Sequence, residues 1–244
     1  MCSGDNTIIN LSHMKKIPAL FFFVIAGLGC LAQQTQHRAL LSRIMIARDS
    51  FSIPPYSLGK IEQIIASGSH KDSYSALSLR EKYTYNMIYG ETYSQLCSIP
   101  TMYAYADKQI FAFLPMLFFE RSWSDRQRAF FKDNRDSVIA LMTKDIREKR
   151  VVGLNYKHVI VDINAVSLIR LLISTYRLQE DHDILTVLAL LMKSNNYKPF
   201  MSSFDYKKLY SGTESYYDAS LIFNTSNEAF IIQRATDFCN EPFK

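Results

Sequence analysis

Two neighbouring apolar segments in the second half of the chain constrain its fold more than any other feature. After Asn164, the residues Ala165, Leu168, Ile169, Leu172, Ile173 and Tyr176 recur at helical spacing. That spacing predicts one helix with one buried stripe. The next segment, residues 184–192, is apolar on nearly every side: Ile184, Val187, Leu188 and Leu191 keep helical spacing, and Leu185, Leu190 and Met192 fill the rest. A helix of that kind has no face to leave in water, so other elements must cover it on several sides. The fold class that follows is mainly α, with at most a minor strand element.

Local signals supply the other helices. Ser78 with Glu81, and Ser124 with Gln127, have capping-box spacing just ahead of helix-compatible runs. Residues 125–150 are too long and too charged in the middle for one simple helix, and Asp133-Asn134-Arg135-Asp136 divides them, with Asn134 as a fresh cap. Shorter helices are predicted around 40–48, 58–66, 79–89, 204–210 and 227–238, with Gly68, Gly90 and Gly212 near their ends. Periodicity leaves residues 110–119 and 151–163 open between strand and buried helix. The helices of residues 134–210 follow one another through short polar connections. Two architectures fit: an irregular helical bundle, or a short stacked-helix, solenoid-like array, although no fixed repeat period supports the second.

The N-terminal region reads as a targeting segment. Lys15 and Lys16 precede an apolar run over residues 17–31, and the small residue Ala32 stands before Gln33. This is the order of a signal peptide over residues 14–32, cleaved after Ala32, with residues 1–13 as a non-native upstream extension and Met14 as the start. The apolar run falls short of the roughly 20 residues that span a bilayer as a helix. Lipidation at Cys30 is the alternative, since Gly29 precedes it; Gly27, however, stands where such signals usually carry Leu. Residues 33–244 would then form a single helical domain, large enough to bury its own core, exported to the periplasm or the cell exterior.

Charge and cysteines agree with that location. A net charge of +5 over the whole chain is mild, and export argues against nucleic acid as a partner. Removing the leader discards Cys2 and Cys30 and leaves Cys97 and Cys239, a candidate disulfide or two separate buried thiols.

Chemical motifs are sparse. His37, His70, His158 and His182 include no pair three or four residues apart, so the helical zinc-protease motif is missing. Paired cysteine motifs, a phosphate-cradling loop and a Gly-x-Ser-x-Gly element are missing too, and no cofactor is expected. Glu180-Asp181-His182-Asp183 gathers carboxylates and an imidazole. Asp181, His182 and Asp183 are weak metal-ligand candidates, and capping of the following helix by Asp181 or Asp183 is the stronger reading. Tyr83, Tyr85, Tyr89 and Tyr93 surround Gly90 and Glu91. Glu91-Thr92 is similar to the glutamate and hydroxyl pair of some helical cell-wall lytic enzymes, without the rest of that signature, which makes Glu91 a weak general-acid candidate. Core packing of the tyrosines is the competing account. The basic-rich residues 126–150 read as a solvated helix surface with Lys144–Glu148 and Asp145–Lys149 pairs, and Trp123 as a packing anchor.

These features favour an exported, non-enzymatic module that contacts another protein or a cell-envelope component. The alternatives are a cell-envelope hydrolase using Glu91 or the His182 cluster, and a small-ligand binding protein.

Overall fold

The segment that cannot face water becomes the helix around which the others gather. In the computed structural model, which describes residues 58–67, 70–93, 107–118, 121–212 and 219–241, every residue from Asp183 to Met192 is buried. All described residues belong to one unit, Met45–Lys244. In chain order the α-helices are α1 (Leu58–Ser67), α2 (His70–Ser75), α3 (Leu79–Ile88), α4 (Asp125–Asp133), α5 (Arg135–Lys149) and α6 (Leu154–Asp162). They continue as α7 (Ile169–Gln179), α8 (His182–Ser194), α9 (Lys198–Met201), α10 (Phe204–Tyr210) and α11 (Thr225–Asn240). Helix α8 is packed by α6, α7, α9, α11 and a strand. The helices surround one central member instead of stacking in series, so the mainly α fold is an irregular bundle.

Among the described residues, four short strands complete it: β1 (Thr92–Tyr93), β2 (Gln109–Phe111), β3 (Arg121–Ser122) and β4 (Ser220–Ile222). β1 pairs antiparallel with β3, setting Thr92 opposite Ser122 and Tyr93 opposite Arg121. β2 pairs antiparallel with β4 and lies against α8, where the Thr186 hydroxyl donates to the Phe111 carbonyl at 2.9 Å. The first open segment therefore holds a strand at its start, and the second is the buried helix α6.

Most buried apolar residues form one continuous core running from Tyr83 to Phe238, and Ile61, Ile64, Tyr74, Leu77 and Tyr85 form a smaller one beneath α1–α3. The stripe of Ala165, Leu168, Ile169, Leu172, Ile173 and Tyr176 is buried throughout. It is not one regular helix: Val166–Leu168 is a 3-10 turn leading into α7. Both capping boxes form, Ser78 with Glu81 and Ser124 with Gln127.

Two local expectations change. Asn134 separates α4 from α5 but makes no side-chain cap; its amide instead donates back to the Phe130 carbonyl and closes α4. Asp145 is not on a solvated surface, because it is buried and accepts from the Tyr156 hydroxyl. Helices α5 and α7 end on left-handed Arg150 and Glu180, a backbone conformation that favours glycine. The predicted 40–48 helix, Gly68, His37, Cys2, Cys30, Cys97, the signal segment and its cleavage point after Ala32 lie outside the described residues.

Candidate functional site

Two polar clusters contain the residues singled out in the sequence. The first is built where α3 ends and α4 begins. Gln127, fully buried, is its hub: its side-chain oxygen accepts from the backbone N–H of Ser124 and of Glu91, each at 3.1 Å. Its amide nitrogen donates to the Tyr89 carbonyl at 2.7 Å and to Asn86 Oδ1 at 3.1 Å. Asn86 in turn donates to the Tyr74 hydroxyl at 3.0 Å, and its carbonyl accepts from Trp123 Nε1 at 2.6 Å. One capping glutamine thus satisfies orphan groups at the end of one helix and the start of the next.

That framework fixes Glu91. Ser124 Oγ donates to Glu91 Oε2 at 2.6 Å, and Arg126 Nη2 pairs with Oε1. The Arg126 guanidinium also lies over the Tyr74 ring, 4.0 Å from its centre. Burial, and after it the Glu91 charge, pushes the Tyr85 phenol well up. Both Glu91 oxygens already accept from donors within the chain, which makes this carboxylate a cross-brace between the segment after α3 and α4. The tyrosines do not share one groove. Tyr83 packs near Tyr156 in the main core, Tyr85 belongs to the smaller core between Tyr74 and Tyr89, and Tyr93 is 66% exposed.

The second cluster joins α6 to the start of α8. Lys157 Nζ is 2.5 Å from Asp181 Oδ2 and 3.3 Å from Asp183 Oδ2, with the lysine side chain 1% exposed. Asp181 is the N-cap of α8, its Oδ1 accepting from Asp183 N at 3.1 Å. Burial drives the Asp181 carboxyl upward, and the Lys157 charge opposes that shift. His182 turns away from both aspartates and stacks on Phe223 with ring centres 3.7 Å apart. The three residues therefore converge on no common ion, and among the described residues no group of three or more His, Cys, Asp or Glu side chains is arranged to hold a metal.

Other candidates resolve as structure. Trp123 is buried against Phe118, Phe131 and His158. His158 Nε2 lies 2.7 Å from the Pro115 carbonyl, and burial holds its imidazole below the ordinary histidine value. Cys239 is a free, half-buried thiol on α11. In the basic-rich segment, Lys144 does pair with Glu148 on the surface, at 3.9 Å. Arg126, Arg128 and Arg135 instead reach other elements: Glu91, Asp162, and the carbonyls of Ile163 and Asn164.

Sequence reasoning missed Lys157, Asn86 and Arg121, and saw Gln127 only as a cap. A lysine flanked by apolar residues at helical spacing, in the 151–163 run, was the one available sign that Lys157 points inward. Among the described residues no helix is long and apolar enough to cross a membrane. Comparison with protein-family models, with curated proteins and with solved structures finds no match to this chain.

Proposed function

We propose that this chain is an exported, non-enzymatic helical module that acts by contact with another protein or a cell-envelope component. Export rests on the cationic start, apolar run and small residue of residues 14–32. The observation that supports a non-enzymatic role is the internal pairing of both candidate acid clusters: Glu91 with Arg126 and Ser124, and Asp181 and Asp183 with Lys157. A general acid or base must reach a substrate proton with its own oxygen, and these oxygens are engaged in joining helices.

The hydrolase alternative is tested on purified protein with peptidoglycan fragments as substrate, comparing wild type with Glu91→Gln. The expected result is no product from either. Cleavage by the wild type that Glu91→Gln loses would overturn the reading. N-terminal sequencing of exported protein is expected to start at Gln33, and a start at lipidated Cys30 would replace the cleaved form with an anchored one.

A further inference from the structure

We propose that Lys157 and Asp181 condense, without any outside enzyme, into an amide that joins α6 covalently to the start of α8, with Asp183 carrying the proton. The nucleophile, the carboxyl and the proton carrier already meet: Lys157 Nζ lies 2.5 Å from Asp181 Oδ2 and 3.3 Å from Asp183 Oδ2. Lys157 shares α6 with the buried Leu154, Tyr156, Val159 and Ile160, and its own side chain is 1% exposed. In water an amine and a carboxylate stay apart as ions because solvation stabilises both charges. Burial removes much of that advantage, and holding the two groups in contact supplies a high effective concentration.

The helix start completes the geometry. Asp181 Oδ1 accepts from the backbone N–H of Asp183 at 3.1 Å, at the N-terminus of a 13-residue helix. Attack on the carboxyl carbon puts negative charge on Oδ1, so this N–H and the positive end of α8 stand where that charge develops. Oδ2, the atom in contact with Nζ, takes no part in the cap and is the oxygen that departs. Burial drives the Asp181 carboxyl upward against the pull of the Lys157 charge, which favours the uncharged acid that the reaction needs.

Every atom is accounted for within the cluster. A proton passes from the Lys157 ammonium to Asp181 Oδ2, leaving an amine and a carboxylic acid. The amine lone pair attacks Asp181 Cγ and the C–N bond forms, while the Asp183 carboxylate takes a second proton from Nζ and returns it to the Oδ2 hydroxyl. The C–Oδ2 bond breaks, water leaves, and Oδ1 becomes the amide carbonyl, still accepting from the Asp183 N–H. The Asp183 carboxylate ends as it began, beside the one hydrogen left on Nζ. No oxidant or cofactor is consumed, and one ammonium and one carboxylate vanish from the interior. Chain that has not condensed holds the ion pair, the starting state of the step. Cys239, the one cysteine among the described residues, is a free thiol, so within them the amide supplies the covalent staple that exported folds otherwise draw from disulfides.

The step requires neither export nor a partner, so it stands apart from the contact reading and from the cleavage assay. Intact-mass spectrometry of the full chain, followed with time after purification, tests it. The expected result is loss of one water per chain, with trypsin no longer cutting after Lys157 and a linked peptide that carries Lys157 Nζ on Asp181. Lys157→Arg is expected to lose no water, and Asp183→Asn to lose it about a hundredfold more slowly. Asp181→Asn keeps a side-chain oxygen for the cap and changes the leaving group, so the expected loss within its linked peptide is ammonia in place of water. That variant keeps the test decisive should Lys157→Arg not fold. An unchanged wild-type mass overturns the proposal, as does water lost from a chain still cut after Lys157, the mark of a succinimide at an aspartate. Water loss that persists in Lys157→Arg or Asp181→Asn, or an undiminished rate in Asp183→Asn, overturns it equally.

Discussion

Lys157 on α6 and Asp181 at the N-cap of α8 form an ion pair at 2.5 Å with the lysine side chain 1% exposed, and Asp183 lies 3.3 Å from the same ammonium. The pair ties the most buried helix of the fold to its neighbour at the point where that helix begins. Removing one partner leaves charge stranded in a poorly solvated place, which costs far more than the intact pair contributes. Lys157→Met is expected to lower the unfolding free energy by about 3–5 kcal/mol. Adding Asp181→Asn and Asp183→Asn to Lys157→Met should return a large part of the loss. Urea unfolding followed by Trp123 fluorescence checks both, and a neutral Lys157→Met would show that the cluster does not brace α6 and α8.

A second buried carboxylate depends on a single donor. The Tyr156 hydroxyl is 2.5 Å from Asp145 Oδ2, while Asp145 Oδ1 has no hydrogen-bond partner. Burial raises the Tyr156 phenol far above its ordinary value, with Tyr83 and Asp145 adding to the shift, so the hydroxyl keeps its proton and remains the donor. Tyr156→Phe is expected to destabilise by about 3 kcal/mol, the cost of a buried charged group left without its hydrogen bond. Tyr156→Phe with Asp145→Leu should recover most of that, because replacing both partners by apolar groups removes the unmet demand. Thermal unfolding of the single and double variants measures the difference.

What the chain made legible was set by local rules. The stripe from Ala165 to Tyr176 and the all-round apolar residues of α8 follow directly from helical period, and the capping boxes at Ser78 and Ser124 from spacing. The site was less legible, because its partners lie far apart in sequence: Glu91 meets Arg126, and Lys157 meets Asp181 and Asp183, only after the helices have packed. The apolar residues at helical spacing around Lys157 mark it as inward-facing but do not name its partners. Asp145 was misread for a related reason: the rule pairing residues four apart on a helix gives spacing but not which face is covered. The short strands β1 and β3 hold two residues each, too few for an alternating pattern to register.

Helix termini offer a stabilising prediction. Arg150 and Glu180 close α5 and α7 with φ of 56° and 53°, a left-handed conformation that carries a steric penalty for residues with a Cβ. Both are exposed. Neither makes an ion pair in the structure through its side chain among the described residues. Arg150→Gly and Glu180→Gly are each expected to raise stability by about 0.5–1 kcal/mol, since glycine adopts this conformation without the clash. Differential scanning calorimetry reads the gain as a higher Tm, and a fall in Tm for both would mean that side-chain contacts outweigh backbone relief.

The pH dependence of stability has a defined source in His158. Its ring lies between the Pro115 carbonyl and Trp123, and burial holds its pKa below the ordinary value, outweighing the upward pulls of that carbonyl, Asp162 and Asp183; Arg128 adds a smaller downward push. The unfolded chain therefore binds this proton more readily than the folded one, and stability rises with pH across the interval between the two values. Above the ordinary histidine value of about 6.5 the stabilisation is complete. It is lost as pH falls from there to the depressed folded value, with a slope of at most about 1.4 kcal/mol per pH unit. Asp181 works with the opposite sign, because its raised carboxyl makes the folded chain the better proton binder above the ordinary carboxylate range. Comparing wild type with His158→Gln isolates the histidine, since Gln can still donate to the Pro115 carbonyl and does not titrate. Urea midpoints measured from about pH 8 to pH 5 should fall more steeply for wild type than for His158→Gln below about pH 6.5; parallel curves would mean that the imidazole is accommodated in both protonation states.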